Sequence, residues 1–407
     1  MAELKIEADP EEVGFDAGRL ARIDTHFRRY VEDGRLPGWT IVVARHGRVA
    51  HLSHHGVLDL EDRRPVTADA VWRIYSMTKP ITSVAAMMLV ERGALELMDP
   101  VARFIPSFAD LRVYTGGSAA NPGTRAAAEP MRVWHLLTHT SGLTYGFHHA
   151  HPVDEIYRSK GYEFDVPSGT DLATACDAWA SVPLVHDPGA EWNYSVATDV
   201  LGRVVEVASG RPLDEFFAEE ILGPLDMADT AFWTADRERL ATLYAIRPDG
   251  GLVRSSMDSA ATRPPSCLFG GGGLISTAAD YQRFVQMLAR GGELDGVRLL
   301  GPRTVGYMTR NHLPGGADLK AFGRPIFAES NFAGVGFGLG FSVVIDPVPG
   351  KILTSAGEFA WGGLASTAFF VDPELHVTAT FFTQVMPSSA YPLRSQLRTL
   401  VNQAVVD

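Results

Sequence analysis

The sequence contains little cysteine and no long apolar run. Only two of its 407 residues are cysteines, Cys176 and Cys267, which is too few for a disulfide framework. We expect both to be buried as small hydrophobic side chains. No run of about 18 apolar residues is present, so no membrane span is expected. The first ten residues carry no basic segment followed by an apolar one, so no secretory signal is expected and the cytoplasm is the expected compartment.

The charge balance is acidic, with a formal net charge of -12 and a pI near 5.5. An acidic surface repels phosphate backbones, which argues against nucleic acid as a partner. The hydrophobic content of 46% and the charged content of 21% are ordinary for a globular protein. A chain of this length exceeds one ordinary core and predicts two or three domains.

Secondary-structure patterns are clearest at the two ends of the chain. Apolar residues at helical spacing predict a helix over 16–33, and alternating runs around His46-Gly47 predict a β-hairpin. The later predictions are a helix over 81–92, helical stretches at 131–138, 196–208 and 212–221, a strand over 340–345, a hairpin over 368–371 and 377–382, and a helix over 393–405. Helix and hairpin at the start, with hairpin and helix at the end, predict one antiparallel sheet covered by terminal helices.

A possible nucleophile lies where the second long helix begins. Ser76 precedes Lys79 by three residues, so the hydroxyl and the amine share one helix face. A hydroxyl becomes a good nucleophile only when a base takes its proton, and a neutral Lys can do this. The helix N-terminus also offers free N–H groups to a developing oxyanion. On its own the motif is equally compatible with Ser76 capping a helix above a solvated Lys79.

Five ordered motifs extend this local signal over nearly the whole chain. They are Tyr75-Ser76-Met77-Thr78-Lys79-Pro80, His135-Leu136-Leu137-Thr138-His139-Thr140-Ser141-Gly142-Leu143, Asp187-Pro188-Gly189-Ala190-Glu191-Trp192-Asn193-Tyr194-Ser195, Phe269-Gly270-Gly271-Gly272-Gly273-Leu274 and Trp361-Gly362-Gly363. In content and order the chain resembles the serine β-lactamase and penicillin-binding-protein superfamily. It resembles most closely the class C β-lactamase-like serine esterases, called family VIII carboxylesterases.

The resemblance implies roles for particular residues. Tyr194 matches the family's catalytic tyrosine, and a phenol beside a Lys ammonium favours its ionised form, which can accept the Ser76 proton. Trp361-Gly362-Gly363 falls where the superfamily has K-T-G on an edge strand. The backbone N–H groups of Ser76 and Leu364 are then the expected oxyanion donors. Tyr145, which follows the second motif, is either a pocket residue or a simple packing residue.

Two departures from the β-lactamase pattern bear on the substrate. Val196 stands where β-lactamases carry Asn, and Trp361 stands where they carry Lys. That Lys offers a charge to the carboxylate of a β-lactam, and an indole cannot replace it. Both changes favour neutral esters.

The resemblance also implies a fold. We expect an α/β (α+β) protein of the β-lactamase/transpeptidase type, with an antiparallel sheet flanked by terminal helices and a mostly helical domain. The discontinuous α/β domain is expected at 1–80 and 265–407, and the helical domain at 81–264. The site is expected in the cleft between them.

The sequence therefore predicts a carboxylesterase that cleaves short-chain esters through an acyl-enzyme on Ser76. The expected partner is a small-molecule ester, and neither a cofactor nor a metal is needed; His135 and His139 have metal-like spacing but no third ligand. A Ser-His-Asp hydrolase is disfavoured because no G-x-S-x-G elbow is present. The open alternatives are an acyltransferase of the same fold, a β-lactamase or D-amino-acid peptidase, and a non-catalytic binding protein.

Overall fold

A computed structural model describes residues 4–324 and 332–407 of the chain. The α-helices in these ranges are α1 (Ala17–Leu20), α2 (Arg22–Glu32), α3 (Thr78–Glu91), α4 (Val133–Leu137), α5 (Pro152–Ser159), α6 (Leu172–Ala180), α7 (Ala197–Ser209), α8 (Leu213–Phe217), α9 (Ala278–Ala289), α10 (Pro302–Met308), α11 (Leu319–Phe322), α12 (Pro347–Gly350) and α13 (Leu393–Asn402). The strands are β1 (Gly38–Arg45), β2 (Arg48–Gly56), β3 (Val71–Arg73), β4 (Arg112–Ser118), β5 (Asn121–Ala126), β6 (Tyr244–Ile246), β7 (Leu252–Arg254), β8 (Ile275–Thr277), β9 (Glu293–Leu294), β10 (Val297–Arg298), β11 (Val335–Phe337), β12 (Ser342–Val344), β13 (Phe359–Gly362), β14 (Ala368–Asp372), β15 (Val377–Phe382) and β16 (Val385–Met386).

One antiparallel sheet joins the two ends of the chain. Its strand order is β11-β12-β13-β14-β15-β1-β2, and the first hairpin meets the last one where β1 pairs with β15. Every residue of β1 is buried, as expected of a strand covered on both faces. Both predicted hairpins and the predicted sheet are therefore confirmed, and with them the β-lactamase/transpeptidase-like fold.

Helices from both ends of the chain cover one face of this sheet. The buried side of α2 includes Phe27, whose ring lies 5.0 Å from that of Phe381 on β15. Leu397 of α13 belongs to the same hydrophobic cluster. The single helix predicted over 16–33 is divided at Ala21, where ψ of -15° tightens the turn between α1 and α2. Helix α9 packs on the sheet through β1, β14 and β15.

The middle of the chain holds helices α3 to α8 and more strand than the sequence predicted. Helices α3 and α7 pack together in the largest hydrophobic cluster. Strands β4 and β5 form a hairpin in a region interpreted as helices and loops. Strand β6 pairs in parallel with β16, far along the chain. The pairing of β6 with β16 crosses the expected boundary, and the division into 1–80 with 265–407 and 81–264 stays a proposal.

Two strand predictions need correction near the site. The strand predicted over 340–345 is only Ser342–Val344, and it begins after Gly340 because the φ of +98° at Gly340 is not a strand conformation. Strand β13, which carries Trp361-Gly362-Gly363 at its end, was expected at an edge. It lies instead between β12 and β14, because the short strands β11 and β12 extend the sheet beyond it.

Candidate active site

The chain brings Ser76 and Lys79 together at the start of α3. Ser76 lies in a tight turn over Tyr75–Met77, and Lys79 is in the first turn of the helix that follows. Tyr75 has φ of 43°, a left-handed conformation that is costly for a non-glycine residue and common at functional sites. Lys79 Nζ lies 3.2 Å from Ser76 Oγ. The spacing in the sequence therefore becomes a direct contact in the fold.

Lys79 is held by three acceptors. Its side chain is buried at 1% exposure, and Nζ donates to the Gly271 carbonyl at 2.6 Å and to the Tyr145 hydroxyl at 3.1 Å. Together with Ser76 Oγ, these acceptors match the three N–H bonds of an ammonium. A buried cation needs such partners, since an unpaired buried charge is strongly disfavoured. The site is therefore built to hold Lys79 in one position beside Ser76.

Tyr194 lies on the other side of the same ammonium. Lys79 Nζ is 4.6 Å from the centroid of the Tyr194 ring, within the range of a cation–π contact. The ring stacks on Trp192 at 6.1 Å and lies 5.4 Å from the Tyr145 ring. Trp361 Nε1 donates to the Tyr194 hydroxyl at 3.4 Å. These contacts hold the Tyr194 ring beside Lys79, with its hydroxyl near Trp361.

Tyr145 is more closely involved than the sequence indicated. The sequence left open whether it lines the pocket, and the structure places its hydroxyl on Lys79 Nζ and on the carboxylate of Asp199. Loss of water around the hydroxyl raises the pKa of Tyr145 well above its usual value, and the nearby charge of Asp199 raises it further. Tyr145 is therefore a neutral hydrogen-bonding link between a cation and an anion.

Asp199 is a site residue that sequence reasoning missed. It is buried at 2% exposure and accepts the Gly271 N–H at 2.8 Å. Burial raises the pKa of its carboxyl to about 6, although the Lys79 ammonium opposes that shift. Asp199 thus supports both Gly271 and Tyr145, two of the groups that hold Lys79. One feature of the sequence could have indicated it: Asp199 is an acidic residue between Thr198 and Val200, in the largely apolar helix that begins soon after Tyr194.

The remaining expected residues border a cleft of about 760 Å³. Trp361, Gly362, Gly363 and Leu364 line it together with Ser76. Gly363 passes so close to Ile74 that a Cβ would collide with the Ile74 carbonyl. Leu364 begins a turn in which the Ser366 N–H donates to the Gly363 carbonyl at 3.1 Å. Within the described residues, neither the N–H of Ser76 nor that of Leu364 donates to a backbone carbonyl of a loop or turn, so both remain candidate oxyanion donors.

The two histidines with metal-like spacing have separate local partners. His135 Nδ1 accepts the Arg132 N–H at 3.0 Å, and burial lowers the pKa of His135 to about 4. His139 is buried beside the Tyr194 ring at 4.8 Å, and burial lowers the pKa of His139 well below its usual value. Across residues 4–324 and 332–407, no three His, Cys, Asp or Glu side chains are grouped to hold a metal ion. Within the same ranges, no helix is long and apolar enough to cross a membrane.

The chain is similar to known proteins over most of its length. The family model described as Beta-lactamase matches residues 23–403. Esterase EstB of Burkholderia gladioli is 32% identical over 97% of this chain and 98% of its own length, and the acyltransferase mokF of Monascus pilosus is 30% identical over 87% and 89%. Among solved structures, EstCE1, described as a hydrolase with promiscuous acyltransferase activity, superposes with a TM-score of 0.80 at 27% identity, covering 95% of this chain and 99% of its own.

Proposed function

Because this chain belongs to the beta-lactamase family, we propose that it is a serine esterase which cleaves short-chain carboxylic esters through an acyl-enzyme on Ser76. Family membership and the esterase and acyltransferase relatives establish the broader class, a serine hydrolase of the β-lactamase fold. The observation that carries the finer proposal is the 3.2 Å contact between Lys79 Nζ and Ser76 Oγ at the floor of an open cleft.

The first half-reaction forms the acyl-enzyme. Ser76 Oγ attacks the ester carbonyl carbon, and its proton passes to the Tyr194 phenolate. The carbonyl oxygen becomes an oxyanion, which the N–H groups of Ser76 and Leu364 stabilise. When the tetrahedral intermediate collapses, the bond to the alkoxy oxygen breaks and Tyr194 returns the proton to the departing alcohol. Lys79 holds Ser76 Oγ in place through its Nζ, which lies 3.2 Å away.

The second half-reaction repeats these steps with water. A water molecule attacks the acyl carbon while Tyr194 takes one of its protons, and the proton then returns to Ser76 Oγ as the carboxylic acid leaves. Every proton removed is thus returned within the same cycle. Neither half-reaction calls for a cofactor.

The side chain at position 361 favours neutral esters as substrates. Trp361 directs an indole where a β-lactamase offers a cation, so a substrate carboxylate gains no charged partner at that position. Phe147 and Phe232 add apolar surface to the cleft. This counts against a β-lactamase or D-amino-acid peptidase. The cytoplasmic location stays a prediction from the sequence.

An acyltransferase is the second candidate, and it is favoured by the acyltransferase mokF and by the description of EstCE1. It uses the same acyl-enzyme, with an alcohol replacing water in the second half-reaction. Product analysis with increasing concentrations of a primary alcohol separates the two functions. A transferase forms mainly the new ester at low alcohol concentration, whereas an esterase releases mainly the acid.

The direct test is a panel of p-nitrophenyl esters of increasing acyl length. We expect turnover of the acetate and the butyrate, and loss of that turnover in Ser76→Ala. The matched control is Ser83→Ala, the same change two turns further along α3 at a buried position. A Ser76→Ala variant that keeps more than a few per cent of wild-type turnover would remove Ser76 as the nucleophile. It would also leave a non-catalytic role for this site open.

A further inference from the structure

The carbonyl of Gly363 is held by an arginine of α13, a helix that packs on the sheet, and this arginine also borders the cleft. Arg394, on α13, donates from Nη2 to the Gly363 carbonyl at 2.9 Å and to the Thr367 carbonyl at 3.3 Å. The Gly363 carbonyl also accepts the Ser366 N–H at 3.1 Å. Two donors therefore fix one carbonyl of the loop that follows β13, and one of them is a charged group, which makes the stronger type of hydrogen bond.

This carbonyl belongs to the same peptide unit as the N–H of Leu364. A trans peptide is planar and rigid, so its C=O and N–H point in opposite directions. Fixing the Gly363 carbonyl towards Arg394 therefore directs the Leu364 N–H away from Arg394. Leu364 borders the cleft together with Ser76, and its N–H is the second of the two oxyanion donors proposed for this site.

The second residue of Trp361-Gly362-Gly363 makes room for the arginine. Side chains on a strand alternate between the two faces of the sheet. Trp361 contacts Tyr194 on the cleft side, and a Cβ at Gly362 would collide with the guanidinium of Arg394. The absence of a side chain at Gly362 is thus what allows Arg394 to reach the Gly363 carbonyl.

The same loop is tied to the segment that carries the other donor. The Gly363 N–H donates to the Thr367 carbonyl at 2.9 Å, and the Thr367 hydroxyl donates to the Ile74 carbonyl at 3.4 Å. Thr367 is fully buried. Ile74 immediately precedes the turn that presents Ser76. Arg394 therefore acts on a loop whose position relative to the Ser76 N–H is already constrained.

We propose that Arg394 is a positioning residue for the oxyanion hole, which fixes the direction of the Leu364 N–H by holding the Gly363 carbonyl. The inference rests on the proposed esterase function. It predicts a specific kinetic effect, because a misdirected donor stabilises the transition state less while substrate binding and proton transfer are unchanged.

The test uses the full-length enzyme and the variant Arg394→Met, which keeps an unbranched side chain without the donor. We expect kcat for p-nitrophenyl butyrate to fall by about 10- to 100-fold, somewhat less than the loss of an entire oxyanion donor. KM should change by less than about threefold. The inhibition constant of a butyl trifluoromethyl ketone, which forms a tetrahedral oxyanion on serine, should rise by the same factor as kcat falls. The shape of the pH profile should be unchanged.

Two further variants separate positioning from general stability. Arg22→Met removes an exposed arginine that hydrogen-bonds Gln403 just beyond α13, and it should leave both constants at wild-type values. Arg394→Lys keeps one charged donor and should give a kcat between those of the wild type and Arg394→Met. If Arg394→Met does not fold, Arg394→Lys carries the same comparison of kcat with the inhibition constant.

Three results would overturn the inference. The first is an Arg394→Met enzyme with wild-type kcat. The second is a loss confined to KM, or one matched by Arg22→Met. The third is a fall in kcat without a parallel rise in the inhibition constant. A wild-type enzyme without turnover of any ester in the panel would refute the proposed function and this inference with it, whereas an active wild type with an unaffected variant refutes the inference alone.

Discussion

The most informative single substitution is Asp199→Asn. It keeps the volume of the side chain and an acceptor for the Gly271 N–H, and it removes only the charge. The carboxylate supports Tyr145 and Gly271, which both hold Lys79. Without that charge, Lys79 beside Ser76 loses its anionic neighbour. Lys79 and Tyr145 are then held less firmly in position, although the packing of the site is unchanged. We expect kcat/KM at neutral pH to fall by about 10- to 100-fold.

The raised pKa of Asp199 sets the pH range of the effect. With a pKa of about 6, the carboxyl is about 91% ionised at pH 7 and about 9% at pH 5. If the ionised form is required, wild-type kcat/KM should fall roughly tenfold between these pH values. The Asp199→Asn enzyme has no carboxyl to protonate there and should lack this acidic limb. The other ionisable groups that interact with Asp199 are Lys79, Tyr145, Cys176 and Cys267.

Stability should change in the opposite direction to activity. A carboxyl whose pKa is raised from 3.8 to about 6 holds its proton more tightly in the folded state, so stability falls as pH rises between these values. Above pH 6 the full cost of the buried charge is present, up to about 3 kcal/mol at 1.36 kcal/mol per pKa unit. Asp199→Asn removes that cost. At pH 7 the variant should therefore unfold at the same or a higher temperature than the wild type.

The assay is kcat/KM for p-nitrophenyl butyrate from pH 4.5 to 9, read at the isosbestic wavelength of p-nitrophenol, with a thermal melt at each pH. Asp280→Asn is the matched control, because burial also raises the pKa of Asp280 to about 6 and its contacts are with Asp229 and Thr230. It should retain the acidic limb. An Asp199→Asn enzyme with wild-type activity and the same acidic limb would refute the reasoning, and a strongly lowered unfolding temperature would indicate a mainly structural role.

Two further predictions concern the proton route and the substrate. Tyr194→Phe removes only the phenolic oxygen and should lower kcat by about 10²–10⁴; Lys79→Ala should do similar damage, and the double variant should be scarcely worse, since residues that act as a unit are not additive. Additive losses would mean that the two act independently, and Tyr30→Phe, at a residue that does not line the cleft, is the control. Cephalosporins should be turned over far more slowly than butyrate esters, and equal kcat/KM values would contradict the role given to Trp361.

Much of the sheet could be predicted from the sequence because its signals are local. The hairpin around His46-Gly47 and the one before Val377 each combine alternating apolar residues with turn residues. The hairpin of β4 and β5 was missed because Gly116 and Gly117, which usually mark loops, continue the strand there with φ of 149° and 92°. The position of β13 inside the sheet depends on the pairing of short distant strands, which no local pattern encodes.

The candidate site also contains residues that the sequence could predict and residues that it could not. Ser76, Lys79 and Tyr194 could be proposed because each lies in a motif, and in the structure Lys79 Nζ lies near both Ser76 and the Tyr194 ring. Asp199 and Arg394 act through backbone groups at 271 and 363, which are far away in the sequence. Neither residue is unusual in its own segment, so their contributions became visible only in the folded chain.

The central claim is that Ser76 carries the acyl group, and mass spectrometry of the acylated protein tests it most directly. The enzyme is mixed with excess p-nitrophenyl butyrate, quenched in acid within the first turnovers, and digested. The account predicts a butyryl group on the peptide that contains Ser76 in the wild type, and none on that peptide in Ser76→Ala. A butyryl group on a different residue that persists in Ser76→Ala, together with continued ester hydrolysis, would contradict it.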